Sequence, residues 1–285
     1  LSMTMRAGDN TALSTTAFTY TEFGDVLTSD GPLAGAGDTT RFFYDAMRRP
    51  TGVVGPDPDG AGPRNNIATK TTYNPRGLPE YSYKGTTVGQ TPAAFSAFSI
   101  VEKTYATYDG WGRESAVRVY DGVAVIAARQ TSYDGSSRPD CVAVRMNPAI
   151  FGSLPSSACT LGTTGGHGED RVTRTSYNVA GEVTKIEKAV GTTVAIDDRR
   201  LIWTNNGKLS TIKDALGNLT SYEYDGHDRL KKTLFPDKAN GSVSSSTDYE
   251  QFWYDPAGNE TQMRKRDGQL IVSTYDDLNR RTFRD

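Results

Sequence analysis

Few side chains in this 285-residue chain have the type and spacing that chemistry needs. The two histidines are His167, inside Gly165-Gly166-His167-Gly168, and His227, inside Tyr-Asp-Gly-His-Asp-Arg; the two cysteines are Cys141 and Cys159. A structural zinc site draws four Cys or His ligands at short spacings, and these residues supply no such set, so no metal ligand is assigned. Asp57-Pro58-Asp59-Gly60 opens like a calcium loop, but the twelfth position, where a bidentate Glu belongs, is Ala68. Ser153, Ser156 and Ser157 stand near Cys159 outside any G-x-S-x-G elbow, with no acid and histidine pairing legible around them. The expectation is a protein without catalytic, cofactor-binding or metal-binding residues, and therefore without an active site of its own.

Composition narrows the class further. Lys plus Arg is 32 against 34 for Asp plus Glu, a net charge of -2, so the basic excess of a nucleic-acid binder is missing. No apolar run approaches the ~18 residues that a spanning helix requires. The amino end, Leu1-Ser2-Met3-Thr4-Met5-Arg6, lacks the apolar stretch of a signal peptide. The chain opens without an initiator Met and stops in mid-pattern at Arg284-Asp285, which reads as a fragment. With 15 Tyr and 29 Gly, the chain favours half-buried strands joined by many turns.

The elements that position these residues repeat. An aromatic followed by Asp, Asn or Thr and a turn recurs at Tyr20, Tyr44, Tyr73, Tyr108, Tyr133, Tyr177, Trp203, Tyr224, Tyr254 and Tyr275, ten anchors in all. Their separations of 24, 29, 35, 25, 44, 26, 21, 30 and 21 residues are irregular but centre on two strands and two turns. In Ser221-Tyr222-Glu223-Tyr224 and again after the turn at Leu230, Lys232 and Leu234, side chains alternate as on a strand. Between them Asp225 is placed to accept downstream backbone amides, and Gly226 is read as the residue that takes a positive φ. Asp45, Asp109, Asp134 and Asp255 hold the same place as Asp225, and Gly77, Gly112, Gly181, Gly207 and Gly258 sit four residues after their anchors. Each unit thus reads as strand, tight turn, strand, and a lone two-stranded unit must stack on its neighbours to be stable.

The runs YDAMRRP, YDGWGRE, YDGHDRL, YDPAGNE and YDDLNRR resemble the YD-repeat or RHS-repeat family, over roughly Tyr20 to Asp285. The resemblance implies an all-β fold in which tandem hairpins form one continuous sheet that spirals into a hollow shell. In bacterial RHS proteins and Tc toxin complexes that shell encloses a carboxy-terminal toxin domain, and in teneurins it is a cell-surface module. The RHS-associated core and the toxin domain of such relatives are not found in residues 1–285. Asp255-Pro256-Ala257-Gly258 has the D-P-x-G look of that core, but Tyr254 is an ordinary anchor and no second copy follows, so no cleavage site is assigned.

The longest spacing holds an insertion at 138–170 that contains both cysteines. Cys141 and Cys159, 18 positions apart, are placed to close a compact lobe with a disulfide worth about 3 kcal/mol; the alternative is two buried free thiols. A bridge implies an oxidising compartment, hence a secreted or bacterial cell-surface protein. Stretches 31–40, 54–66, 86–96 and 239–246 read as connections between hairpins. The functional expectation is a non-enzymatic shell segment whose partners are the rest of its own polypeptide and an enclosed carboxy-terminal effector, without cofactor or nucleic acid. The alternative is an adhesion module that binds surface glycans or receptors through Trp111, Trp203 and Trp253.

Overall fold

The computed structural model describes residues 2–6, 12–33, 35, 37–60 and 62–285, so the connections at 31–40 and 54–66 lie partly outside the described residues. The first strands are β1 (Ser2–Arg6), β2 (Ala12–Tyr20), β3 (Val26–Asp30), β4 (Thr40–Tyr44), β5 (Pro50–Val54), β6 (Asn66–Tyr73) and β7 (Pro79–Thr87). After the short helix α1 (Pro92–Ser96) come β8 (Ser99–Tyr108), β9 (Glu114–Asp121), β10 (Ala124–Tyr133) and β11 (Pro139–Arg145), then a single 3-10 turn at Pro148–Ile150. The remaining strands are β12 (Arg171–Tyr177), β13 (Val183–Lys188), β14 (Ile196–Trp203), β15 (Leu209–Asp214) and β16 (Leu219–Tyr224). They continue with β17 (Leu230–Pro236), β18 (Ser244–Tyr254), β19 (Glu260–Arg264), β20 (Leu270–Tyr275) and β21 (Arg281–Arg284).

Two compact bodies divide within β10 and β11. The first runs from β1 to Thr131 and takes in Val144–Leu154 and Gly162–Gly168; the second holds Ser132–Ala143, Pro155–Leu161 and Glu169–Asp285. In the first body every strand from β1 to β9 pairs antiparallel with its successor. In the second the same holds from β12 to β20. Short connections leave successive strands no other economical partner, so the order of the sheet is the order of the sequence.

Neither body has a thick core. The chain of 30.9 kDa exposes 17250 Å², against about 12,000 Å² for a compact globular monomer of that mass. Among the described residues most of the buried apolar side chains gather in two small clusters, with Ala116, Ala128 and Phe151 outside them. In the first body Phe95 of α1 joins Val54, Ala68, Phe43 and Phe98, its ring stacked on Phe43 at 4.1 Å between centroids. A Cβ at Gly52 would stand 2.1 Å from Phe95 Cζ, so the glycine is what admits the ring to the sheet surface. Stretch 86–96, expected as a plain connection, is therefore a helical plug whose start Thr91 caps and whose Gln90 Nε2 donates to the Gly55 carbonyl at 2.8 Å. In the second body Cys141, Ala143, Ala158 and Val172 form the other cluster, with Leu161 and Val190 against it.

Candidate functional site

The recurring feature of both bodies is the turn after each anchor. In the turn after Tyr224, the Asp225 amide donates to the Arg229 carbonyl at 2.9 Å and the Asp228 amide to the Asp225 carbonyl at 3.1 Å. This is the hairpin in which a tight turn ends in one left-handed residue. That residue is Asp228, at φ 59°, so Gly226 does not hold the positive φ assigned to it from sequence. The turn's hydrogen bonding fixes the left-handed position at the fourth residue after the anchor, wherever a glycine happens to fall. Gly24, Gly77, Gly112, Gly181, Gly207 and Gly258 occupy that place in six of the turns, and Arg48, Ser137, Asp228 and Asn279 in the other four.

The carboxylate after the anchor is saturated. Asp225 Oδ1 accepts the amides of His227 and Arg229 at 2.9 and 3.0 Å, while Oδ2 accepts Arg229 Nε at 2.7 Å with Nη2 at 2.6 Å. The side-chain hydrogen bond from Arg229 leads in holding the Asp225 carboxyl down from 3.8 to about 2, helped by the two amides and opposed by partial loss of water. The same Asp and Arg pair closes the turns at Asp45, Asp109, Asp134 and Asp276. At Asp255, Asn259 Nδ2 replaces the arginine at 2.9 Å, and there too the carboxyl is lowered, by the Asn259 side chain foremost.

The anchor rings tie each turn to the one before. Tyr44 donates its hydroxyl to the Val26 carbonyl, Tyr73 to Pro50, Tyr108 to Pro79 and Tyr177 to Pro139. Trp203 donates Nε1 to Val183, and Tyr224, Tyr254 and Tyr275 donate to Leu209, Leu230 and Glu260. Every acceptor is the sixth residue after the preceding anchor, and Val26, Pro50, Pro79, Val183, Leu209, Leu230 and Glu260 lie opposite that anchor where the register shifts. Arginines reach the other way. Arg49, Arg138 and Arg229 lie over the rings of the next anchors Tyr73, Tyr177 and Tyr254 at 4.3, 4.5 and 4.6 Å. Arg138 and Arg229 also donate Nη1 to the carbonyls of Asn178 and Asp255. Thus the ring holds the previous unit, the aspartate shapes its own turn, and the arginine holds the next.

Two turns of the same backbone form escaped the sequence pattern. Asp214 and Lys265 begin turns that close on Asn218 and Gln269, with Gly217 and Gly268 at φ 88° and 89°. No aromatic precedes either; the signal that could have found them is a polar residue three positions before Gly.

The remaining candidates stay apart. His167 and His227 are exposed, in a loop and a turn. Cys141 and Cys159 form a disulfide, 5.2 Å between Cα atoms, beside Asp140, which leaves no thiolate for a metal. Trp111 projects from its turn in the first body, 85% exposed. In the second body the register carries Ile202 onto the face of Tyr249 and Trp253, so Trp203 stands on the opposite face. Trp203 and Trp253 share no binding surface.

Fold and turns together define a class: a repeat protein of hairpins interlocked through their anchors, with its polar groups spent on holding the sheet. Residues 203–238, which contain the Trp203, Asp214 and Tyr224 turns, match the RHS Repeat family. No curated protein matches it. Among solved structures, the crystal structure of TcdB2-TccC3-TEV is 13% identical with a TM-score of 0.40, over 96% of this chain and 16% of that one. The Photorhabdus luminescens Tc holotoxin pore is 11% identical with a TM-score of 0.33, over 94% of this chain and 15% of that one. This chain therefore spans about a sixth of the length of those proteins.

Proposed function

We propose that this chain is a non-catalytic shell segment of a secreted or surface RHS-repeat protein, and that the sheet encloses or presents a carboxy-terminal effector domain. The observation that carries the reading is the bond from each anchor ring to the sixth residue after the preceding anchor, found at eight anchors. It lets a sheet be extended hairpin by hairpin with a fixed offset, which suits a wall. The partners are then the rest of the same polypeptide and the enclosed domain. The Cys141–Cys159 disulfide favours an oxidising compartment. Among the described residues no helix is long and apolar enough to cross a membrane. The adhesion alternative is weaker, because Trp203 is committed to its anchor bond with Val183. Electron cryomicroscopy of the longer polypeptide carrying this chain tests the reading. The expected image is one continuous sheet around density for the carboxy-terminal segment; two packed flat sheets with that segment outside would refute it.

A further inference from the structure

In the first body, one face of the sheet carries cations that, among the described residues, no carboxylate neutralises. Lys70, Tyr83, Lys103 and Tyr120 are cross-strand neighbours in a single row through β6, β7, β8 and β9. The next row on that face holds Thr72, Tyr81, Tyr105 and Arg118. All eight side chains are half-buried, and neither row contains an acid. Lys103 Nζ lies 3.8 Å from the Tyr120 ring and 5.8 Å from the Tyr81 ring, and Arg118 lies 5.9 Å from that of Tyr105. Lys70, at one end, stands 5.6 Å from the ring of Phe95 in α1. At the other end Arg118 Nε donates to the Phe151 carbonyl at 2.7 Å, while its Nη1 is buried with no hydrogen-bond partner. The strip is thus a floor between two inserted segments, α1 and the loop of Phe151.

The opposite face of the same strands is different. There Lys84 pairs with Glu102 at 3.0 Å and Arg129 with Glu114 at 3.8 Å. On the Lys70, Lys103 and Arg118 strip, rings stand where that other face has acids, Phe95 beside Lys70 and tyrosines beside the other two, and rings attract a cation without cancelling its charge. Tyr81, Tyr105 and Tyr120 already face these cations and Tyr83 stacks on Tyr81 at 6.0 Å, so the strip offers little flat aromatic surface for stacking a neutral sugar. What remains open is positive charge with phenolic hydroxyls between.

We propose that this strip binds an extended acidic polypeptide segment. From strand and row spacing, Lys70 and Lys103 lie about 10 Å apart at the backbone and Lys103 and Arg118 about 8 Å. A chain in the polyproline II form presents every third side chain on one side at intervals of about 9 Å, which places its carboxylates over the three cations in turn. A strand, whose same-face side chains recur at about 7 Å, drifts out of step. This binding property belongs to the face itself and stands whether or not the sheet encloses a domain.

The test is fluorescence anisotropy of the 285-residue chain with a labelled proline-rich peptide carrying Glu at every third position. Binding is expected to weaken with salt and to vanish for the same peptide with Gln in place of Glu. Lys70→Gln, Lys103→Gln and Arg118→Gln should each lower affinity about threefold and the triple variant about thirtyfold, the scale of one exposed ion pair per cation. Lys84→Gln and Arg129→Gln, on the other face, should change it less than twofold. Circular dichroism of each variant separates a lost site from a lost fold, and the Gln peptide tests the charge requirement without altering the protein. Equal losses from the Lys84 and Arg129 variants, or full affinity in a folded triple variant, would overturn the proposal. So would a polyuronate that binds as tightly and is lost with the same three cations, since the site would then take any anionic polymer.

Discussion

Replacing Tyr254 by Phe removes one oxygen and nothing else from the interlock. Arg229 keeps its place over the ring, 4.6 Å from the centroid, and the anchor still fills its position in β18. What is lost is the 2.9 Å hydrogen bond from the hydroxyl to the Leu230 carbonyl, a half-buried acceptor at the start of β17. Such a bond is worth about 1 kcal/mol net. With a urea slope of about 1–3 kcal/mol per molar, the unfolding midpoint of the second body should fall by about 0.3–1 M without a change in slope. Tyr20 supplies the control. Among the described residues no anchor turn precedes it, its ring is 40% exposed, and no hydrogen bond from its hydroxyl links it to an earlier unit. Tyr20→Phe should therefore leave the midpoint within error. Hydrogen exchange adds a local reading: protection should drop at β17 and its turn in the Tyr254→Phe protein and nowhere in the first body. Equal midpoint shifts for the two substitutions would refute the claim that the anchors act by reaching back one unit.

Further outcomes follow from the same turns. The Asp225 carboxyl lies below its ordinary 3.8 in the folded chain, so its contribution is present above that value and lost as pH falls toward about 2; acid unfolding followed by circular dichroism should therefore steepen within that window, and Asp225→Asn should flatten it. Gly258, at φ 91° with open space around it, should cost about 1–2 kcal/mol when changed to Ala and less when changed to Asn, as Asn279 holds the equivalent place; thermal melts compare the two. Phe95→Ala should destabilise the first body by about 3–5 kcal/mol, measured by urea unfolding, because it empties the cluster over Gly52. Reducing the Cys141–Cys159 bridge should cost the second body about 3 kcal/mol, seen as a lower midpoint under dithiothreitol.

Sequence spacing discloses what is local. The strand alternation around Tyr224 and the acid after it are written within a few residues, and turn chemistry makes them legible. Gly226 misled because the left-handed position is set by which amide closes the turn, so Asp228 takes it although a glycine stands two residues earlier. The acceptors of the anchor rings were invisible: Tyr177 finds Pro139 across 38 residues, a relation that exists only once register is known. Phe95 likewise sits in a stretch whose Gly, Thr and Pro read as a connection, and its burial depends on Gly52, more than forty residues away. The basic strip needed the same knowledge, since Lys70, Lys103 and Arg118 are scattered in sequence and adjacent only through pairing.

The proposed enclosing role is tested most directly by protease accessibility of a carboxy-terminal segment carried in one polypeptide with these repeats. If the sheet encloses that segment, it survives intact under native conditions and is digested once urea opens the sheet, with Tyr254→Phe lowering the urea at which protection is lost. Digestion of the segment under native conditions, at the rate found after unfolding and with the repeats still folded, would contradict it.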